Sequence, residues 1–204
     1  QALRLGASFH TPTAMSLTDA YSNTFSYDYT DGTGSNIGQV QTSPDGTFDY
    51  KLRTPWRASA SAALVVKKYG FLSADFEWVD YAANRYNFTA DVASQDNQLY
   101  EREVNTDIQR SYQQAMNMRF GGELVLDDFR LRGGLNLLGK PEEGATGFNT
   151  GISAGAGVRG KSFYLDFGWR RNKGTGSVQP YQNAPLASTK TVSNDFLLTL
   201  GFKF

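Results

Sequence analysis

The sequence of 204 residues has no cysteine, a single histidine and no excess of either charge, with 20 basic and 20 acidic side chains. Without cysteine the chain cannot form a disulfide, a zinc–thiolate site or a thiol nucleophile, and one histidine excludes a site that needs two imidazoles. Because no basic excess is available to neutralise phosphates, nucleic acid is not an expected partner. The sequence contains no run of about 18 apolar residues, so it predicts no transmembrane helix. We expect no metal and no cofactor.

Aromatic residues and glycine are abundant instead, with 14 Phe, 11 Tyr, 3 Trp and 21 Gly. Near the end of the sequence, Phe196, Leu198, Leu200, Phe202 and Phe204 occupy every second position. Successive side chains of a strand point to opposite faces, so this pattern predicts a strand with one apolar face. The alternation recurs upstream and predicts eight strands, while no segment predicts an amphipathic helix. The predicted strands lie at about 2–29, 48–66, 72–78, 116–126, 129–137, 152–158, 163–169 and 196–204.

The predicted connections alternate between long and short. Short turns are expected at 67–70, 127–128 and 160–162, and long loops at about 30–46, 89–110, 139–147 and 172–192. Transmembrane β-barrels have short periplasmic turns and long extracellular loops. With an even number of strands, both ends of this chain are expected on the periplasmic side.

A soluble antiparallel barrel or sandwich also alternates apolar and polar residues, so the alternation alone does not exclude it. Three features favour the membrane. The last strand closes on Phe204, aromatics such as Trp78 and Trp169 crowd towards strand ends as in an interfacial girdle, and the polar face is rich in Arg, Asp, Glu and Gly. The predicted fold class is all-β: an antiparallel up-and-down transmembrane β-barrel of the bacterial outer membrane, with eight strands in this chain.

Several segments, in their order and spacing, are similar to those of a known family. They are LRLGASFHTPT at 3–13, FDYKLRTPWR at 48–57, FLSADFEWVDY at 71–81, MRFGGELVLDDFRLRGGLNLLGKP at 118–141 and FYLDFGW at 163–169. Together they resemble the outer-membrane long-chain fatty acid transporter family, often called FadL/TodX, some of whose bacterial members carry a hemin-receptor label.

The resemblance implies a barrel of about 14 strands with an N-terminal plug, of which this chain matches the C-terminal eight strands. We expect residues 1–204 to form a single β-barrel domain, with no plug and no signal peptide. The remaining strands are expected to be lost, cleaved or held in another chain. A closed barrel of eight strands is the alternative, since eight is a closable number.

The predicted polar face carries eleven basic and five acidic side chains. Such a face would attract a carboxylate head group, which Arg binds with two hydrogen bonds. Arg53, Arg57, Arg119 and Arg132 are the candidate ligand-binding residues because they fall in the middle of strands. The alternative for each is an Arg–acid ladder that braces the barrel interior.

Two further features lie in the first half of the sequence. Ser8 and His10 are two residues apart on one predicted strand and could form a hydrolase site, although a polar interior histidine explains them as well. Pro12 and Pro55 interrupt long strands, and each predicts a kink or bulge because proline lacks the ladder N–H.

The predicted function is an outer-membrane channel for passive uptake of hydrophobic or amphiphilic small molecules such as long-chain fatty acids, without enzymatic activity. The first alternative is a non-transporting barrel subunit or scaffold in an outer-membrane assembly, and the second is a lipid hydrolase that uses Ser8 and His10. Expected partners are membrane lipids and a hydrophobic or carboxylate-bearing small molecule. The missing N-terminal barrel strands or other outer-membrane proteins are further expected partners.

Overall fold

The computed structural model describes residues 2–88, 95–181 and 184–202, and this part of the chain is mainly strand. One α-helix, α1 (Gln95–Ser111), and one short 3₁₀ turn (Tyr81–Ala83) accompany the strands. In chain order the strands are β1 (Ala2–His10), β2 (Ala14–Tyr21), β3 (Thr24–Thr30), β4 (Asn36–Thr42), β5 (Gly46–Arg53), β6 (Arg57–Val66), β7 (Gly70–Asp80), β8 (Arg85–Phe88), β9 (Gln114–Leu126), β10 (Phe129–Gly139), β11 (Phe148–Arg159), β12 (Phe163–Val178) and β13 (Ala187–Phe202).

Eight of these strands form one antiparallel sheet in the order β1-β6-β7-β9-β10-β11-β12-β13. This sheet makes up most of a compact unit that comprises residues 1–12, 55–83 and 109–204. Tight connections at 67–69, 127–128 and 160–162 join β6 to β7, β9 to β10 and β11 to β12. Lys67 and Asp127 adopt positive φ angles of 41° and 51° in two of these turns. The predicted eight-stranded antiparallel sheet and its three short turns are confirmed.

A second compact unit comprises residues 13–54 and 84–108. Within it, β2, β5 and β8 form a three-stranded sheet in the order β2-β5-β8, and β3 pairs with β4 in a separate two-stranded sheet. The chain passes between the two units directly after Pro12 and directly before Pro55, where β1 and β2 and likewise β5 and β6 are separate strands. The predicted interruptions at both prolines are therefore present.

The sequence predicts no amphipathic helix and a long loop at about 89–110, and this needs correction because residues 95–111 form α1. On this helix Tyr100, Val104 and Ile108 recur at four-residue spacing, which places them on one face. The contacts of the helix with β8 are largely polar. The Asn105 side chain accepts a hydrogen bond from the Tyr86 N–H at 2.8 Å and donates one to the Tyr86 carbonyl at 2.8 Å. The helix thus binds a strand edge through a side-chain amide, which a search for apolar faces does not detect.

Other predicted boundaries also need correction. The first predicted strand, 2–29, is three strands, and the predicted loop 30–46 contains β4, which pairs with β3 across a five-residue tip. The predicted loop 172–192 is shorter, since β12 continues to Val178 and β13 begins at Ala187. Both corrections have one physical reason: polar residues in these segments satisfy the strand ladder although they lack apolar alternation. Lys203 and Phe204, which belong to predictions above, lie outside the described residues.

In the eight-stranded sheet the apolar residues are exposed and the polar residues are half-buried. Along β10, exposed residues such as Leu131 and Leu135 alternate with half-buried ones such as Arg132 and Asn136. Leu131 is 46% exposed and Phe167 is 48% exposed. Water-soluble sheet proteins show the opposite arrangement, and an apolar exterior with a polar interior is typical of membrane barrels. We call these two sides the apolar face and the polar face of the sheet.

Candidate functional site

Arginine and carboxylate side chains form a ladder across the polar face. At one end of the ladder, Glu77 on β7 lies between Arg57 on β6, at 3.8 Å, and Arg119 on β9, at 3.4 Å. Asn117, which is 7% exposed, donates a hydrogen bond of 2.9 Å to the same carboxylate and accepts one of 3.1 Å from the Gly139 N–H. Three neighbouring strands and the end of β10 are therefore tied together around Glu77.

The ladder continues across β9 to β12. Arg132 donates from Nε to Glu123 at 2.6 Å and from a terminal nitrogen to Asp166 at 2.8 Å. Arg130 lies 3.9 Å from Glu123, and Arg159 lies 2.9 Å from Asp166. With the pair Arg170–Asp195 on β12 and β13, six arginines share four carboxylates. Six of the eleven basic side chains predicted for this face are thus paired with carboxylates.

The structure places three of the four candidate arginines in this ladder and separates the fourth from them. Arg57 and Arg119 share Glu77, and Arg132 bridges Glu123 and Asp166. Arg53 is an exposed residue of β5 in the second unit, opposite Ala14 and Arg85 in the strand register. Its ligand-binding role, like that of the other three, stays a prediction.

A recess of about 650 Å³ lies over the polar face at β10 to β13. The strand register puts Arg132, Gly155, Gly168 and Leu197 in one row across these four strands. A side chain at Gly168 would meet no atom within 4 Å, whereas one at Gly155 would lie 3.0 Å from the Phe167 carbonyl oxygen. The two glycines therefore leave bare backbone as the floor of the recess, and only Gly168 has open space above it.

An ion pair lies at each end of the glycine floor of the recess. Asp166, bound to Arg132, lies two residues before Gly168, and Arg170 lies two residues after it, about 13 Å away from Asp166 along the strand. Arg170 donates to Asp195 from Nε at 3.1 Å and from a terminal nitrogen at 2.9 Å. Its side chain is 57% exposed, against 38% for Arg132. Arg170 is thus the more accessible guanidinium beside the recess.

The recess combines bare peptide, apolar residues and guanidinium groups paired with carboxylates, so it can hold the apolar part of a small amphiphile and bind its polar group. Arg170 is one of the eleven basic side chains of the predicted polar face but not one of the four candidate arginines. The signal that could have found this site is the pair of glycines, Gly155 and Gly168, on the polar parity of adjacent strands. Their opposition in the register required the structure.

Ser8 and His10, the residues of the hydrolase alternative, lie two residues apart on one strand, as the sequence predicts. Ser8 and His10 lie on β1, exposed, opposite Ser59 and Arg57. No hydrogen bond joins Ser8, His10 and a carboxylate in the part of the chain that the structure describes. Over the same residues, no three His, Asp or Glu side chains cluster as a metal site would require.

The comparisons with known proteins concern the fold. No protein-family model matches the sequence, and no curated protein matches it significantly. Among solved structures, the crystal structure of a FadL homologue from Pseudomonas aeruginosa is similar, with a TM-score of 0.59 and 14% sequence identity. The alignment covers 97% of this chain and 48% of that chain, so this chain spans about half the length of the solved structure.

This likeness shows the fold: the chain has an all-β antiparallel architecture, as its sequence predicted. No helix in the described ranges is long and apolar enough to cross a membrane.

Proposed function

We propose that this chain is part of an outer-membrane barrel through which hydrophobic or amphiphilic small molecules, such as long-chain fatty acids, pass by diffusion. The observation that carries the proposal is the inverted sheet, with an exposed apolar face for lipid and a polar face that holds a recess with a bare glycine floor. The apolar part of a fatty acid would lie over Gly168 beside Leu197, and its carboxylate would bind Arg170. Long loops would face outwards and both ends of the chain would face the periplasm.

The strand edges support a larger barrel. All nine residues of β1 are exposed on both faces, with Leu5 at 76%, and most residues of β13 are exposed as well. Interior strands such as β10 alternate instead, because neighbours on both sides cover their polar face. Since lipid leaves no partner for an unpaired strand edge, we propose that β1 and β13 pair with further strands of a barrel that this chain completes.

Cross-linking tests this part of the proposal. Cysteines introduced at Ala7 and Leu198, near the middle of β1 and within β13, should not be joined by a short thiol cross-linker in the membrane-embedded protein. Efficient cross-linking within one chain would contradict a larger barrel and would indicate that the eight strands close on themselves.

Filling the recess tests transport. In Gly168→Val, the new side chain enters the recess without meeting another atom, since the space within 4 Å is free. Gly133→Val is the matched control, because Gly133 also has free space within 4 Å but lies on the apolar face. We measure uptake of radiolabelled oleate by Gram-negative cells that lack their own fatty acid transporter and express the full-length protein.

We expect Gly168→Val to lower oleate uptake several-fold and Gly133→Val to leave it near the wild-type level, with equal amounts of folded protein in the membrane. Equal oleate uptake by both variants would show that the recess is not part of the transport pathway. Wild-type uptake no higher than that of cells without the protein would overturn the transport proposal itself.

A scaffold function is the second candidate, and the ladder favours it. Arg132 and its partners fasten four strands together across the polar face, as expected of a rigid barrel that holds other proteins. Stable co-purification with defined envelope proteins, together with absent oleate uptake, would support the scaffold in place of the channel.

A further inference from the structure

Four basic side chains gather on the apolar side of the sheet, where the strands leave the apolar band. Arg171 and Lys173 follow each other at alternate positions of β12, and Thr175 is next on the same face. The Lys140 ammonium donates a hydrogen bond of 2.7 Å to the Thr175 hydroxyl, and Lys190 on β13 lies directly opposite Thr175 in the register. We call Lys140, Arg171, Lys173 and Lys190 the basic patch.

The basic patch borders the apolar band directly. Trp169 lies opposite Phe196 at the last apolar position of β12, and Arg171 is the next residue of β12 on that face. On β13 one further apolar residue, Val192, lies opposite Lys173. The four apolar positions of each strand span about 20 Å, close to the roughly 25 Å apolar band of an outer-membrane barrel. The basic patch therefore stands at the depth where aromatic girdles meet lipid head groups. The apolar positions are Phe163, Leu165, Phe167 and Trp169 on β12, and Phe196, Leu198, Leu200 and Phe202 on β13.

The charge of the basic patch is not balanced by described carboxylates. The salt bridges of the described residues all lie on the polar face and include none of the four side chains. Arg171 is half-buried, and its enclosed Nε has no hydrogen-bond partner among the described residues. Glu142 and Glu143 follow Lys140 in the chain, but their backbones pair with Tyr112 and Ser111 at the start of β9.

We propose that the basic patch binds the phosphate groups of phosphorylated glycolipids in the outer leaflet, an inference that rests on the membrane placement proposed above. The patch lies at the long-loop end of the sheet, opposite the short turns, which is the outer-leaflet side under that placement. Lysine attracts phosphate as a point charge, and arginine binds it through paired N–H groups. Long basic side chains beside an apolar band also reach the head-group level without leaving their strand.

The test compares two double variants of the full-length purified protein. Arg171→Gln/Lys173→Gln removes two charges from the basic patch. Lys68→Gln/Lys161→Gln is the matched control, because it removes two charges from the short turns at the opposite end of the sheet. Binding of diphosphoryl lipid A to each protein in mixed detergent micelles is measured by native mass spectrometry, with dephosphorylated lipid A as the comparison lipid.

We expect the patch variant to bind diphosphoryl lipid A about tenfold more weakly than the wild type, and the control variant to bind it as the wild type does. Equal binding by the two variants would overturn the proposal, and so would equal binding of dephosphorylated lipid A to the wild type. Competition by inorganic phosphate at equal concentration would contradict lipid as the ligand. Oleate uptake is measured separately, so loss of the transport function and loss of lipid binding are distinguished.

Discussion

Replacing Arg132 with Gln removes the side chain that links Glu123 on β9 to Asp166 on β12. The wild-type guanidinium makes charge-assisted hydrogen bonds of 2.6 Å to Glu123 and 2.8 Å to Asp166. Each such bond stabilises a protein by about 1.5–3 kcal/mol when it is buried. Because Arg132 is 38% exposed and both carboxylates keep a second arginine, Arg130 or Arg159, we expect the free energy of unfolding to fall by about 2 kcal/mol in total.

Arg170→Gln is the matched control. Arg170 belongs to one ion pair, with Asp195, in which the side chains are 57% and 51% exposed. Exposed pairs contribute about 0.2–1 kcal/mol, so the control should lose about 0.5 kcal/mol, and less at high salt.

Urea unfolding of the full-length protein in lipid vesicles, followed by tryptophan fluorescence, measures both losses. Equal losses for the two variants, or a gain in stability for Arg132→Gln, would refute the bracing role of Arg132. A fall in oleate uptake with unchanged stability would instead support Arg132 as a ligand-binding residue.

Three further predictions concern other parts of the chain. Asn117→Ala, which removes a buried amide bound to Glu77, should lower the free energy of unfolding by about 2 kcal/mol in the same urea assay. Gly70→Ala should reduce the yield of folded protein on a heat-modifiability gel, because Gly70 has a φ of 135° and a Cβ there would meet a backbone carbonyl of β9. A hydrogen bond from the Thr33 hydroxyl lowers the pKa of Asp31 below 3.8. The stabilisation of the β3–β4 tip by ionised Asp31 should be present above pH 3.8 and lost as the pH falls through the folded-state pKa. Hydrogen-exchange protection of residues 24–42 should show this loss in the wild type and not in Asp31→Asn.

Much of the eight-stranded sheet follows from the sequence because apolar and polar residues alternate along its strands with a two-residue period. The register of β9 and β10 can also be predicted from the sequence, because the two-residue turn at Asp127 and Asp128 places Arg132 opposite Glu123. The pair Arg170–Asp195 cannot be predicted from the sequence in this way. It joins strands whose connecting loop is long, and loop length does not determine their register.

The elements α1 and β4 are not predicted from the sequence, for a related reason. Both elements are mainly polar: α1 has a narrow apolar face of Tyr100, Val104 and Ile108, and β4 has Ile37 and Val40, so the apolar periodicity by which buried elements are recognised is weak in both. Arg53 also differs from expectation. It lies four residues before Arg57, so strict alternation places both arginines on one face of one predicted strand. The break at Pro55, although expected, places the two arginines in different units.

The central claim is that the apolar face of the sheet meets lipid and the polar face meets water. Because these 204 residues contain no cysteine, single cysteines can be introduced one at a time along β12 without a competing thiol in this part of the protein. We predict that cysteines at Asp166 and Gly168 react quickly with a charged, membrane-impermeant thiol reagent in the reconstituted protein. Cysteines at Leu165 and Phe167 should react slowly, and fluorophores attached to them should be quenched by lipid-borne quenchers. Uniform reactivity along the strand, or the opposite alternation, would contradict the account.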